Sequence, residues 1–198
     1  MRQAIVLGSF DPVHLGHFNF VNSFYKQKNK YDIDKIYVLP THQNPNKIHK
    51  ALDFWHRFNM CKLMFKPLKD VEIDTLEEYL QFTYTYDLMK WFKDDKDPDI
   101  KSDFYWILTE ETFQELLDDK WYKSEYFLQN IPMIIMSYDP IEWKTKYPNY
   151  EFCQIDDNNC KYIHSTYIRQ KIKENKPITN EVGFEVENYI NENNLYLK

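Results

Sequence analysis

Two histidines, His14 and His17, stand three residues apart with Gly16 between them. At that spacing two side chains share one face of a helical turn. An imidazole donates hydrogen bonds to phosphate oxygens and takes up charge near neutral pH. The preceding residues, Gly8-Ser9-Phe10-Asp11-Pro12, read as a tight turn, and Gly8 and Gly16 are two of only 3 glycines in the chain. Gly16 is expected to let a phosphate come close to the backbone, because it carries no Cβ. Ser9, Phe10 and the N–H groups of the turn complete a candidate phosphate cradle. A second cluster lies near the other end, Ile163-His164-Ser165-Thr166-Tyr167-Ile168-Arg169. It reads as a helix start with Ser165 or Thr166 as cap. Thr166 and Arg169 are one turn apart, and a helix N-terminus beside a guanidinium fork suits β- and γ-phosphates. Lys47 is a further candidate cation. Together these groups suit attack by a phosphate on the α-phosphate of a nucleoside triphosphate, with pyrophosphate leaving. That reaction asks for alignment and positive charge rather than a covalent intermediate.

Such groups work only if secondary structure holds them, and the pattern alternates strand and helix. Ala4-Ile5-Val6-Leu7 reads as a buried strand, and Phe18 to Tyr25 has helical apolar spacing. The histidines therefore sit on a strand-to-helix turn, where free N–H groups and the helix dipole attract anions. Lys35 to Pro40, Val71 to Asp74, Phe104 to Leu108, Pro132 to Ser137 and Glu151 to Ile155 read as further strands. Asp53 to Phe65 has helical periodicity with Asp53 as N-cap, Thr85 to Asp94 suggests a helix, and the tail from Ser165 is helical twice, broken near Pro177. Repeated βα units imply an α/β fold, a Rossmann-like doubly wound parallel sheet. Its ligand crevice would lie at the C-terminal ends of the strands. The 198 residues suit one domain spanning 1–198, with a small C-terminal helical subregion.

Composition narrows the function classes. The chain is 43% hydrophobic and 28% charged, as in a soluble globular protein. A formal charge of -6 argues against nucleic acid or an anionic membrane as partner, but not against a small anion in a local cationic cleft. No stretch reads as a signal peptide or membrane span. Cys61, Cys153 and Cys160 lack CxxC spacing, so they read as reduced thiols of a cytoplasmic protein rather than a disulfide framework. Taken alone, the histidine pair could equally be surface histidines or half of a metal site, but no third ligand accompanies it, so no protein-held metal is expected.

These residues resemble the nucleotidyltransferase superfamily with the HxGH signature, here His14-Leu15-Gly16-His17, and its partner motif ISxTxxR, here Ile163 to Arg169. Within it the chain is most similar to the bacterial nicotinate-nucleotide adenylyltransferases, over nearly its whole length. Pro40 to Lys47 resembles the family's P-x-x-x-P-x-K loop with one more residue between the prolines, and His56-Arg57-Phe58-Asn59-Met60 its second-helix signature. Thr83-Tyr84-Thr85-Tyr86-Asp87 resembles the segment that receives the pyridine ring, and Lys120-Trp121 the site of a stacking tryptophan.

The resemblance implies ATP-dependent adenylyl transfer to nicotinate mononucleotide, giving deamido-NAD and pyrophosphate. It implies His14, His17 and Arg169 as catalytic residues. Gly8, Ser9, Phe10, Gly16, Lys47, Ser165 and Thr166 would hold ATP, while Thr85, Trp121 and Glu111 would hold the pyridine nucleotide. Mg²⁺ would bind mainly through substrate phosphates, and a homo-oligomer is left open. Nicotinamide mononucleotide, a phosphopantetheine-type acceptor, or CTP in place of ATP are the alternatives that keep the chemistry; a nucleotide sensor is the alternative that does not. The chain departs from the family at His164, where a serine is usual, at Thr109-Glu110-Glu111, where Gly-x-Asp is usual, and at Leu88, where a threonine is usual. His42 and His56 read as surface or structural histidines.

Overall fold

The computed structural model describes residues 2–42, 51–94, 103–156 and 160–197. Six strands, β1 (Gln3–Gly8), β2 (Lys35–Pro40), β3 (Val71–Ile73), β4 (Phe104–Thr109), β5 (Met133–Ser137) and β6 (Glu151–Gln154), form one sheet in the order β3-β2-β1-β4-β5-β6. Every neighbouring pair is parallel, from Ile36 opposite Val71 to Met136 opposite Cys153. The winding reverses between β1 and β4. Crossovers on either side of this line leave by opposite faces, so a crevice opens at the strand ends, where Gly8 and Thr109 sit.

The strands alternate as a sheet covered on both faces requires. Ala4 and Val6 of β1 join Ile36, Val38, Ile107 and Ile134 in the core of one face. On that face lie α1 (Leu15–Tyr25), α2 (Phe54–Phe65), α8 (Ser165–Lys173), the short α9 (Thr179–Val182) and α10 (Phe184–Glu192). Ile5, Leu39, Trp106, Leu108 and Ile135 face the other way. Against them pack residues of α4 (Thr85–Asp94), α5 (Glu110–Leu117), α6 (Ser124–Asn130) and α7 (Pro140–Lys146), with α3 (Leu76–Leu80) beside the end of β2.

The strands, the doubly wound sheet and the C-terminal helical subregion match the sequence reading, and Asp53 caps α2 by accepting from the N–H of Trp55 at 2.9 Å. Three expectations change. The tail carries a third, four-residue helix, α9, which bridges α8 and α10. Helix α1 begins at Leu15, so His14 is its N-cap, in extended conformation (φ -147, ψ 171). The cap of α8 is His164 rather than Ser165 or Thr166, because the serine hydroxyl is engaged elsewhere. Residues 43–47 of the loop from Pro40 to Lys47, Lys47 among them, lie outside the described residues.

Candidate active site

The site is built on a bend that folds back on itself. Phe10 adopts a left-handed conformation (φ 47), which returns its ring over Gly8. A Cβ at Gly8 would meet that ring at 2.8 Å, so glycine is required there for close packing. The Phe10 ring, 2% exposed, meets His17 edge-on at 4.9 Å and so braces the imidazole from behind. His14 and His17 stack with ring centroids 3.7 Å apart. The N–H of His14 donates to Nδ1 of His17 at 3.2 Å. A neutral His17 thus keeps its own proton on Nε2.

Gly16 has a packing role as well. A Cβ there would come within 2.9 Å of Nδ1 of His14 and 3.1 Å of the Cys160 carbonyl oxygen. Its missing side chain makes room for the His14 ring and for the chain entering α8, and Gly16 also lines the central cleft. His14 is 7% exposed, and its Nδ1 is buried without a hydrogen bond. Burial, followed by the nearby His164, pulls its pKa from 6.5 down to about 3. His14 is therefore neutral at ordinary pH, one ring nitrogen a donor and the other an acceptor.

The late motif docks directly on this bend. Ser165 Oγ donates to the Pro12 carbonyl at 3.0 Å, and Arg169 donates to the Asp11 carbonyl at 2.6 Å. Arg169 also donates to Thr166 Oγ1 at 3.3 Å, as their one-turn spacing requires. Asp11 in turn accepts from the Tyr196 hydroxyl at 2.8 Å and from the N–H of Leu52 at 3.3 Å. The bend and the start of α8 are thus one hydrogen-bonded unit, although the sequence separates them by some 150 residues.

Among the described residues, three hollows adjoin this unit. The central cleft, about 410 Å³, is lined by Gly8, His14, His17, Glu111, Trp121 and His164, among others. That is in the range of small-ligand pockets. A recess beside it is bordered by Gly8, Ser9, Glu77, Thr85 and again Trp121, so Trp121, with Leu7 and Gly8, lies on the border of both. Thr166 and Arg169 line a third hollow on the far side of Asp11. The structure therefore joins the histidines to Glu111 and Trp121, joins Ser9 to Thr85, and connects Arg169 to both through Asp11 rather than by sharing their cleft.

Trp121 is half-buried, as its polar neighbours suggest, and its Nε1 donates to Glu115 at 2.8 Å. That bond and a tilted contact with Trp106 at 5.8 Å lock the ring as a wall. Thr109 also acts locally, since its Oγ1 accepts from the N–H of Thr112 at 3.2 Å and caps α5. The exposed Glu111 follows in the first turn of that helix.

A bend of this kind at the reversal point of a parallel sheet has relatives. The sequence model of the cytidylyltransferase-like family matches residues 5–171. A probable nicotinate-nucleotide adenylyltransferase of Staphylococcus haemolyticus is 33% identical over 201 residues, covering 98% of this chain and 97% of that one. The chain belongs to the nicotinate-nucleotide adenylyltransferase family. A probable nicotinate-nucleotide adenylyltransferase of Coprothermobacter proteolyticus is 30% identical over 195 residues, or 98% of this chain and 95% of that one. Among solved structures, the fold is that of Plasmodium falciparum nicotinic acid mononucleotide adenylyltransferase complexed with NaAD, with a TM-score of 0.78 at 24% identity over 98% of this chain and 97% of that one.

For this adenylyltransferase family member, two side chains to which the sequence assigned no role, Arg57 and Tyr196, brace the bend. Arg57, 1% exposed, donates to the carbonyls of Leu52 and Ser9 at 2.8 Å each and of His42 at 3.3 Å. It ties α2 to the ends of β1 and β2. The signal was present, since Arg57 lies on the helical face of Phe54 and Cys61, where a solvated charge does not belong. Tyr196 carried no such signal. His42 and His56 are structural: His42 Nδ1 lies 2.7 Å from Glu78 Oε2, and His56 Nδ1 lies 3.0 Å from the Tyr189 hydroxyl.

Proposed function

We propose that this chain transfers the adenylyl group of ATP to nicotinate mononucleotide, releasing pyrophosphate and deamido-NAD. The observation that carries the reading is the stacked His14–His17 pair at the sheet's reversal point, hydrogen-bonded through the bend to the Arg169 helix, with a recess of about 170 Å³ alongside that shares Trp121 with the cleft. A phosphate oxygen of the acceptor forms a bond to the α-phosphorus. The bond from that phosphorus to the bridging oxygen breaks, and the electron pair leaves with pyrophosphate. Charge grows on the oxygens around the α-phosphorus. His17 donates to them through Nε2, held in line by Phe10 and by the N–H of His14.

His14 begins neutral, and a triphosphate in the cleft raises its proton affinity, so it gains charge as the polyanion binds. Arg169 and Thr166 reach the outer phosphates from the start of α8, with Arg169 exchanging the Asp11 carbonyl for phosphate oxygens. Ser165 holds the bend through Pro12, and Gly8, Ser9 and Phe10 shape the wall that the nucleotides share. Thr85 and Trp121 hold the pyridine nucleotide, with Glu111 at the edge of the cleft.

Among the described residues no group of three His, Cys, Asp or Glu side chains is placed to hold a metal ion. The cleft offers imidazoles, hydroxyls and backbone N–H groups, which fit a triphosphate whose Mg²⁺ is carried on its own oxygens and water. Mg²⁺ so bound supplies charge screening of the leaving pyrophosphate. The described helices include none long and apolar enough to cross a membrane. Cytoplasmic residence, and one domain over 1–198, complete the reading.

Pyrophosphate release from ATP, Mg²⁺ and nicotinate mononucleotide tests the proposal, with CTP and nicotinamide mononucleotide as the competing substrates. The expected result is turnover that falls ~10²–10³-fold in His17→Ala, with folding stability lowered by about 1 kcal/mol for the lost bond to the cap. Nucleotide binding by calorimetry with no pyrophosphate released would replace the enzyme with a nucleotide sensor.

A further inference from the structure

The recess beyond Trp121 contains a buried acid that the proposed reaction does not use. Glu77, the second residue of α3, is 4% exposed and borders the recess together with Thr85 and Trp121. It is the most buried polar side chain of that lining, since Thr83, Tyr84 and Lys120 are exposed and Thr85 is half-buried. The bond that holds it is weak: the N–H of His42 donates to its Oε2 at 3.5 Å.

The charged groups around Glu77 do little to neutralise it. From the end of β2, the His42 imidazole is engaged with Glu78 at 2.7 Å. From α2, the guanidinium of Arg57 gives its hydrogen bonds to the carbonyls of Leu52, Ser9 and His42. From the loop after α5, Lys120 stands at the mouth and pairs with Asp118 at 2.9 Å. Burial therefore prevails and pushes the Glu77 carboxyl from 4.5 up to about 7, opposed in part by the His42 N–H and the charges of His42 and Arg57. A group with that affinity exchanges its proton across the neutral range.

We propose that Glu77 sets the acceptor preference of the recess: protonated, it donates a hydrogen bond to the carboxylate of a nicotinate ring; ionised, it repels that carboxylate and accepts from the neutral carboxamide of a nicotinamide ring. The inference rests on the reading that the Trp121 recess takes the pyridine ring. The physical basis is that two carboxylates cannot share a water-poor hollow without one proton between them. A carboxamide carries no charge and offers N–H donors to the ionised acid.

Calorimetric dissociation constants of nicotinate mononucleotide and nicotinamide mononucleotide, measured at pH 6 and pH 8, test this in the wild-type chain and in Glu77→Gln. Both ligands carry the same phosphate, which ionises near pH ~6, and both meet the same histidines. The ratio of the two constants cancels the titrations that both ligands sense alike, and comparison with Glu77→Gln isolates Glu77. In the wild type the ratio of nicotinate to nicotinamide constants should rise at least about tenfold, and up to about a hundredfold, from pH 6 to pH 8, because loss of one proton from a group titrating near 7 weakens nicotinate binding and strengthens nicotinamide binding. In Glu77→Gln the ratio should stay constant. A flat ratio in the wild type, or the same rise in the variant, overturns the inference and leaves the adenylyl-transfer reading standing. Binding of neither mononucleotide at either pH overturns both.

Discussion

The two signature histidines differ in kind although they are neighbours on one turn. His14 is sealed beneath the bend and loses its proton readily, whereas His17 lies between the His14 N–H and the Phe10 ring on the lining of the cleft. Glu77 is a second case in which burial decides protonation. Its folded pKa lies near 7, against 4.5 for an ordinary glutamate. Between those values the unfolded chain releases a proton that the folded chain keeps, so this contribution to stability is full below pH 4.5 and declines as pH rises through 7. Glu77→Gln keeps the shape and the acceptor for the His42 N–H while removing the charge. At pH 8 it should stabilise the fold by about 3 kcal/mol, at ~1.4 kcal/mol per pKa unit. At pH 4 it should be nearly neutral. Urea unfolding at the two pH values checks this, and equal gains at both would mean that ionisation is not the cause.

At the scale of elements, the site consists of two helix starts pressed against one bend. His14 is the N-cap of α1, where Gly16 lets its ring lie over the first turn, and His164 is the N-cap of α8, whose Ser165 and Arg169 are held by Pro12 and Asp11. The glycine therefore serves packing between elements. Gly16→Ala would place a Cβ 2.9 Å from the His14 ring and 3.1 Å from a backbone carbonyl that cannot move without α8. The expected cost is about 1–3 kcal/mol of stability, as for other overpacked sites, together with a loss of turnover exceeding that of ligand affinity. Chemical denaturation and steady-state kinetics on the variant measure both. A fully stable and active Gly16→Ala chain would show that the ring has another place to go. Much of this level is readable from residue order, because Asp53, Thr85 and the apolar runs report local propensity. The cap of α8 was not readable, because Ser165 is a good cap by type and is diverted by a partner some 150 residues away.

At the scale of the whole molecule, the sheet order β3-β2-β1-β4-β5-β6 places the ends of β1 and β4 side by side at the reversal, and the bend after β1 overhangs that gap. The chain then returns at its far end to brace the same bend. Tyr196 donates to Asp11 Oδ1 at 2.8 Å, and its phenol is held well above the ordinary range first by burial and then by that carboxylate. Tyr196→Phe removes the donor and leaves a mostly buried carboxylate oxygen short of a partner, at a cost of about 1–3 kcal/mol. Asp11 also holds Arg169, so the variant should raise the KM for ATP several-fold with less change in kcat. Thermal unfolding and ATP titration of the variant check the two parts. An unchanged KM would confine Tyr196 to stability.

Residue type and local order determined the strand and helix periodicity, the caps that depend on adjacent residues, and the two motifs whose donor groups suit phosphate. These are legible because propensity, periodicity and donor inventory belong to neighbouring residues. Tertiary structure alone decided that Arg57 and Tyr196 brace the bend, that His14 is neutral and Glu77 reluctant to ionise, and that Trp121 borders both cleft and recess. Each of those depends on what surrounds a group in space, and desolvation and long-range hydrogen bonds have no counterpart in the order of residues along the chain.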